Sequence, residues 1–134
     1  MKKSLLALSL TALLVAVAVP VMAGDTAAPL STDELKQTIG AGKKNTIVFF
    51  QNPMGGPCRA QNDILQKLVK DRKSSFNIAA VSTMRQEDQR AFYEYGVRNL
   101  PQLVLVDRKG KIRQFFPPGI QSYEAVASAL DAAK

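Results

Sequence analysis

The segment Thr46-Ile47-Val48-Phe49-Phe50 is five consecutive β-branched or aromatic residues with no polar alternation. A run of that kind reads as a strand covered on both faces, so the fold must place something apolar above and below it. The strand cannot continue past Asn52-Pro53-Met54-Gly55-Gly56-Pro57, a cluster of chain breakers. A helix is expected from Cys58 to about Lys73. Ile64 and Leu68 are four apart, as are Leu65 and Val69, and together they form one apolar stripe, while Asp63, Lys67 and Lys70 face elsewhere. Pro57 suits the first helical turn, where its missing N–H leaves nothing unpaired. A buried strand turning abruptly into a long amphipathic helix indicates an α/β protein.

The rest of the chain supplies the layers. Ser31 at an N-cap and Glu34 three residues on form a capping box, predicting a helix to about Ile39 that stops at Gly40-Ala41-Gly42. Phe76 to Val81 reads as a second strand, Gln86 to Tyr95 as a helix ending at Gly96, and Pro101 to Val106 as a third strand. Asp107-Arg108-Lys109-Gly110 is a turn into a fourth strand, Lys111 to Phe116, and Ser122 caps a last helix through Ala133. Strand-helix-strand units imply right-handed parallel crossovers, and the final two strands form an antiparallel hairpin. The expected result is a four-stranded mixed sheet with helices on both faces. Phe92, Tyr93 and Tyr95 are expected as core and rim packing, and Phe115-Phe116-Pro117-Pro118-Gly119 as an apolar edge and turn.

The first residues have a different character. Met1-Lys2-Lys3 is a basic start, Leu5 to Val19 is nearly all apolar, Pro20 breaks it, and Val21-Met22-Ala23 offers small residues for cleavage. This is the layout of a secretory signal peptide. The expected organisation is 1–23 signal peptide and 24–134 a single domain, periplasmic or secreted. The apolar run is shorter than the roughly 20 residues of a membrane span, so no stable membrane anchor is expected after cleavage.

Charge and cysteine usage narrow the chemistry. The net charge is +7, two units of which belong to Lys2 and Lys3. The other basic residues are spread along the chain, which describes a solvated surface first. They leave room for acidic partners or anionic membrane surfaces, whereas nucleic acid is an odd partner for an exported protein. The chain holds one cysteine, Cys58, and no histidine. An internal disulfide, a Cys-His nucleophile pair, histidine zinc sites and histidine-ligated haem are therefore excluded. Gly55-Gly56 lacks the Lys-Ser/Thr that a phosphate loop needs. No cofactor and no metal site is expected; Cys58 with Met54 makes only a poor copper(I) pair.

Three features together resemble the thioredoxin family. Phe49-Phe50 closes a strand before Met54-Gly55-Gly56-Pro57-Cys58, where the family carries Trp-Cys-Gly-Pro-Cys. Gly96-Val97-Arg98-Asn99-Leu100-Pro101 runs straight into a strand, like the family's cis-proline loop. Asp107-Arg108-Lys109-Gly110 leads into the last hairpin strand and helix. The resemblance covers roughly residues 31–134 and implies a thioredoxin-like fold. Gly56, Pro57 and Cys58 match the family's site, while Met54 and Gly55 depart from it. Gly55 stands where the family has its exposed nucleophile, and Cys58 matches the second, less exposed cysteine. Phe49 and Phe50 also leave the strand without the acid or lysine that often helps proton transfer there.

A dithiol cycle needs two sulfurs, so this chain cannot run the family's intramolecular route. One expectation is thiol–disulfide exchange or redox homeostasis by a monothiol route. Cys58, in the first turn of a helix that favours a thiolate, would form a mixed disulfide with glutathione or a client protein. Gly55, Gly56, Pro57, Leu100 and Pro101 would shape the substrate site. The alternative is a non-catalytic peptide-binding module of the cell envelope in which Cys58 is an inert buried sulfur. Pro101 read alone is an ordinary trans residue starting a strand. The family resemblance implies a cis bond whose Leu100 backbone receives an extended chain.

Overall fold

The computed structural model describes residues 26–134. The expected signal peptide and its cleavage point lie outside the described residues. The elements are α1 (Asp33–Thr38), β1 (Thr46–Gln51), α2 (Gly56–Asp71), β2 (Asn77–Ser82), a 3-10 turn (Gln86–Asp88), α3 (Gln89–Tyr95), β3 (Gln102–Val106), β4 (Ile112–Phe115) and α4 (Tyr123–Ala132).

The four strands form one mixed sheet in the order β2-β1-β3-β4. β1 is central, and its first five residues are buried. Because side chains alternate across a strand, it feeds two cores. Val48 and Phe50 pack with Leu35 of α1, with Ile39 just after it, and with Ala91 and Tyr95 of α3. Ile47 and Phe49 pack with Leu65 and Leu68 of α2 and with Val126 and Leu130 of α4. The uninterrupted apolar run is thus the direct consequence of helices on both faces. The Phe50 ring meets Phe92 edge-on at 5.3 Å and Tyr95 at 5.1 Å between centroids, and the Tyr95 hydroxyl donates to the Pro29 carbonyl at 2.8 Å.

Several expectations need correction. β1 and β2 are parallel, as the first crossover requires, but β3 runs antiparallel to β1, with Phe50 opposite Gln102. The segment between β2 and β3, which carries α3, therefore brings the chain back into the sheet at the end it has just left and makes no second parallel crossover. In it, α3 is short, seven residues. Its first turn is also a separate 3-10 segment.

The first helix is capped by Thr32, not Ser31: Thr32 Oγ1 accepts the Leu35 N–H at 3.1 Å. That register puts apolar Leu35 at the third helical position, so no reciprocal capping box forms. Glu34 instead accepts the Ala80 N–H at 3.0 Å and pairs with Arg85, tying α1 to β2. α2 starts two residues before Cys58 and ends at Asp71, after which Lys73 and Ser74 take positive φ values of 54° and 57°. Tyr93 is not a packing residue, being 88% exposed.

Candidate functional site

At the end of β1 the chain reverses through a turn built by Asn52. Its carbonyl accepts the Gly55 N–H at 2.9 Å and its side-chain Oδ1 accepts the Met54 N–H at 3.0 Å. Pro53, with its preset φ, occupies the second position of this turn. Gly55 is the N-cap of α2 with extended backbone, φ −84° and ψ 134°, and its carbonyl receives the Arg59 N–H at 3.1 Å. Gly56, Pro57 and Cys58 then make the first turn. Gly56 and Pro57 are exposed, whereas Cys58 is only 3% exposed.

The thiol sits beneath the turn that precedes it. The Asn52 backbone N–H donates to Cys58 Sγ at 3.4 Å. A Cβ on Gly55 would stand 3.8 Å from that sulfur, and one on Gly56 would meet nothing within 4 Å. Gly55 therefore puts no side chain over Sγ, and Gly56 lies at the open surface. Phe49 is buried in the core shared with α2 and α4, so β1 brings no ionisable group to the sulfur.

β3 brings the proline to the same end of the sheet. Gln102 pairs with Phe50, which places Pro101 alongside Gln51 and next to Asn52. The Leu100–Pro101 peptide bond is cis. Pro101 is buried, and its carbonyl accepts the Gly119 N–H at 2.9 Å. Leu100 packs its side chain on the α1/α3-side core. Among the described residues, neither its N–H nor its carbonyl has a hydrogen-bond partner. The topology thus gathers Gly55, Gly56, Pro57, Cys58, Leu100 and Pro101 at one end of the sheet.

Two further residues shape this end. Asn52, beyond its turn, supplies the donor to the sulfur. Gln61, one turn after Cys58 on α2, is completely buried. Its Oε1 accepts the Gln121 N–H at 2.6 Å and its Nε2 donates to the Gln121 carbonyl at 3.2 Å, which straps the loop before α4 onto α2. The sequence signal for Gln61 was its place on the buried stripe Cys58-Gln61-Leu65-Leu68, an amide where an apolar residue is the rule. Exposed apolar side chains flank the site. Met54 is 74% exposed on the turn, Met84 follows Thr83, whose N–H bonds Gln51, and Ile120 follows Gly119.

A family described as a thioredoxin-like domain matches residues 32–134. The chain belongs to the thioredoxin-like family. Solved thioredoxin-like structures share the architecture at low identity. Fasciola hepatica thioredoxin is 21% identical with a TM-score of 0.64, covering 78% of this chain and 97% of that one. An uncharacterised thioredoxin-like protein from Clostridium perfringens is 20% identical, with a TM-score of 0.62 over 68% of this chain and 71% of that one. The exposed lipoprotein thioredoxin of Streptococcus pneumoniae is 16% identical, with a TM-score of 0.60 over 70% of this chain and 89% of that one. Within this thioredoxin-like frame Cys58 is the single thiol, and Gly55 occupies the N-cap position in front of it.

Proposed function

We propose that this protein is an exported thioredoxin-like protein acting by a monothiol route through Cys58. The observation that carries this reading is the side chain missing at Gly55, the position that faces Sγ. A side chain there would abut Sγ, with its Cβ 3.8 Å away. Without it, this is the side from which a sulfur supplied by another molecule approaches, with the Asn52 turn yielding. The Cys58 thiolate attacks one sulfur of a client disulfide, forming a Cys58–client mixed disulfide and releasing the other client sulfur as a thiolate. An external thiol such as glutathione then attacks the mixed disulfide, regenerating Cys58. The two electrons that reduce the client come from that external thiol and a second one that closes its disulfide. The leader-like composition of residues 1–23 supports export, and the Streptococcus pneumoniae neighbour is itself described as an exposed lipoprotein.

The test is the intact mass of the protein taken from cells under non-reducing conditions, after rapid thiol alkylation. The monothiol reading expects a glutathione or protein adduct on Cys58. An unmodified Cys58 that alkylates only after denaturation overturns it. The burial of Cys58 together with the unpartnered backbone of Leu100 favours a second reading. Here an extended peptide adds beside Leu100–Pro101, with main-chain hydrogen bonds providing the affinity and no covalent step. Peptide binding that survives Cys58→Ala would select it.

A further inference from the structure

At the opposite end of β1 from Cys58, about 17 Å along the strand, the surface is strongly basic. A cleft of about 380 Å³ lies between the β3–β4 turn and the C-terminal end of α4, lined by Arg108, Lys109, Lys111, Arg113 and Lys134 together with Asn45 and Asp107. An adjoining depression of about 250 Å³ shares Asn45, Arg108 and Lys134 with it and adds Lys43 and Lys44. The volume falls within the range of about 300–1,000 Å³ usual for small-ligand sites.

The turn that carries these cations is rigidly made. Asp107 Oδ1 accepts the N–H groups of Lys109 at 2.9 Å and Lys111 at 3.0 Å, and the Asp107 carbonyl accepts the Gly110 N–H at 3.0 Å. Gly110 takes φ 80°, which closes the turn. Asp107 is the only carboxylate side chain in the lining, and it is already committed. Besides the two N–H groups, its Oδ2 faces Arg113 Nε at 3.4 Å. Lys111, bridged to Ala27 just before β4, and Arg113 in β4 are two apart in extended chain, so they share a face, while Ile112 between them is buried. Arg108, Lys109 and Lys111 have no carboxylate partner among the described residues.

One cation near the end of α4 is accounted for by the negative end of the helix dipole. Here Asn45 Nδ2 already donates to the Ala133 carbonyl at 3.3 Å, and Lys134 lies 3.8 Å from Asp131. Arg108, Lys109 and Lys111 are in excess of that role and repel one another across a concave surface. A multiply charged anion relieves the repulsion. Guanidinium groups such as Arg108 bind phosphate oxygens in a fork, and the lysines add point charges.

We propose that this cleft binds an oligophosphate or phosphate ester carrying at least two negative charges. The site is independent of the thiol, so Cys58→Ser leaves it intact.

The test is titration calorimetry of the full chain with sodium tripolyphosphate at physiological salt, with inorganic phosphate and phosphatidylglycerol vesicles as parallel arms. The expected result is saturable one-site binding of tripolyphosphate that is stronger than that of inorganic phosphate and weakens as salt rises. Arg108→Gln with Lys109→Gln, both on the exposed turn, should weaken it at least about tenfold, the scale on which charge-assisted phosphate contacts act. Lys36→Gln with Lys70→Gln removes the same charge from α1 and α2 and should change it little. Equal loss in both double variants would reduce the effect to net charge and overturn the site. So would binding of vesicles without binding of tripolyphosphate, or no binding at all.

Discussion

Gly55 and Cys58 are placed so that a Cβ added to the first would lie 3.8 Å from the sulfur of the second. The pair thus has the spacing of two side chains about to be bridged, with one side chain missing. The added Cβ would also stand 3.3 Å from the Asn52 carbonyl oxygen, so the turn must yield by a few tenths of an ångström. Gly55→Cys should close a disulfide with Cys58 once the turn and the two rotamers adjust, since a second sulfur on that Cβ comes within bonding reach of Sγ. The oxidised variant should show no free thiol without reductant. The reduced variant should gain activity in an insulin-reduction assay. A variant that keeps both thiols free in air would mean the turn does not present position 55 to Sγ.

Gln61 holds the loop before α4 by both ends of its amide. Replacing it with Ala leaves the Gln121 N–H and carbonyl without that partner beneath the loop. The expected cost is about 1–3 kcal/mol, the penalty for stranded polar groups. Urea unfolding measures it. Limited proteolysis should find new cleavage near residues 117–121, and an unchanged digestion pattern would show that Gln61 does not restrain this loop.

Asp88 is nearly inaccessible and accepts the Ser82 N–H at 2.8 Å and Arg85 Nε at 2.7 Å. Arg85 reaches on to Glu34 and to the Ala80 carbonyl, so this carboxylate anchors the corner where α1, β2 and α3 meet. Asp88→Ala should cost about 2–3 kcal/mol, with the half-exposed arginine partly rescued by solvent. The lost stability should appear as a lower midpoint in chemical denaturation with an unchanged slope. A midpoint equal to that of the parent would remove Asp88 from the structural account.

The α2–α4 seam carries the acid sensitivity that the structure makes explicit. The Arg72 hydrogen bond, at 2.8 Å, holds the Asp131 carboxyl below its ordinary value. A folded-state pKa below the unfolded one contributes stability that is present above the unfolded value, about 4, and lost as pH falls through the folded value. Tyr123 has the opposite sign. Its hydroxyl donates to Asp71 at 2.8 Å, which raises its pKa, so its contribution holds below the unfolded phenol value and is lost in alkali. Asp131→Asn should lower thermal stability slightly at neutral pH and converge with the parent in acid. Parallel curves over the whole acid range would show that the pair does not contribute.

The sequence alone determined the layered architecture. The five-residue apolar run at Thr46–Phe50 demanded cover on both faces, and α1 and α3 on one side with α2 and α4 on the other provide it. The breaker cluster places the start of α2 to within two residues, and Ser122 caps α4 as its place in the sequence predicts. The single cysteine by itself excludes an intramolecular dithiol cycle. These are local or compositional properties, encoded by the period of the pattern and by the residues that break it. Only the tertiary structure decided the direction of β3, the choice of Thr32 over Ser31 as cap, the donor from Asn52 to Cys58, the clamp of Gln61 on Gln121, and the placing of Lys43 and Arg108 around one depression. Each depends on which distant segments strand register and helix length bring side by side. That is a property of packing between elements, invisible to a reading that runs along one segment at a time.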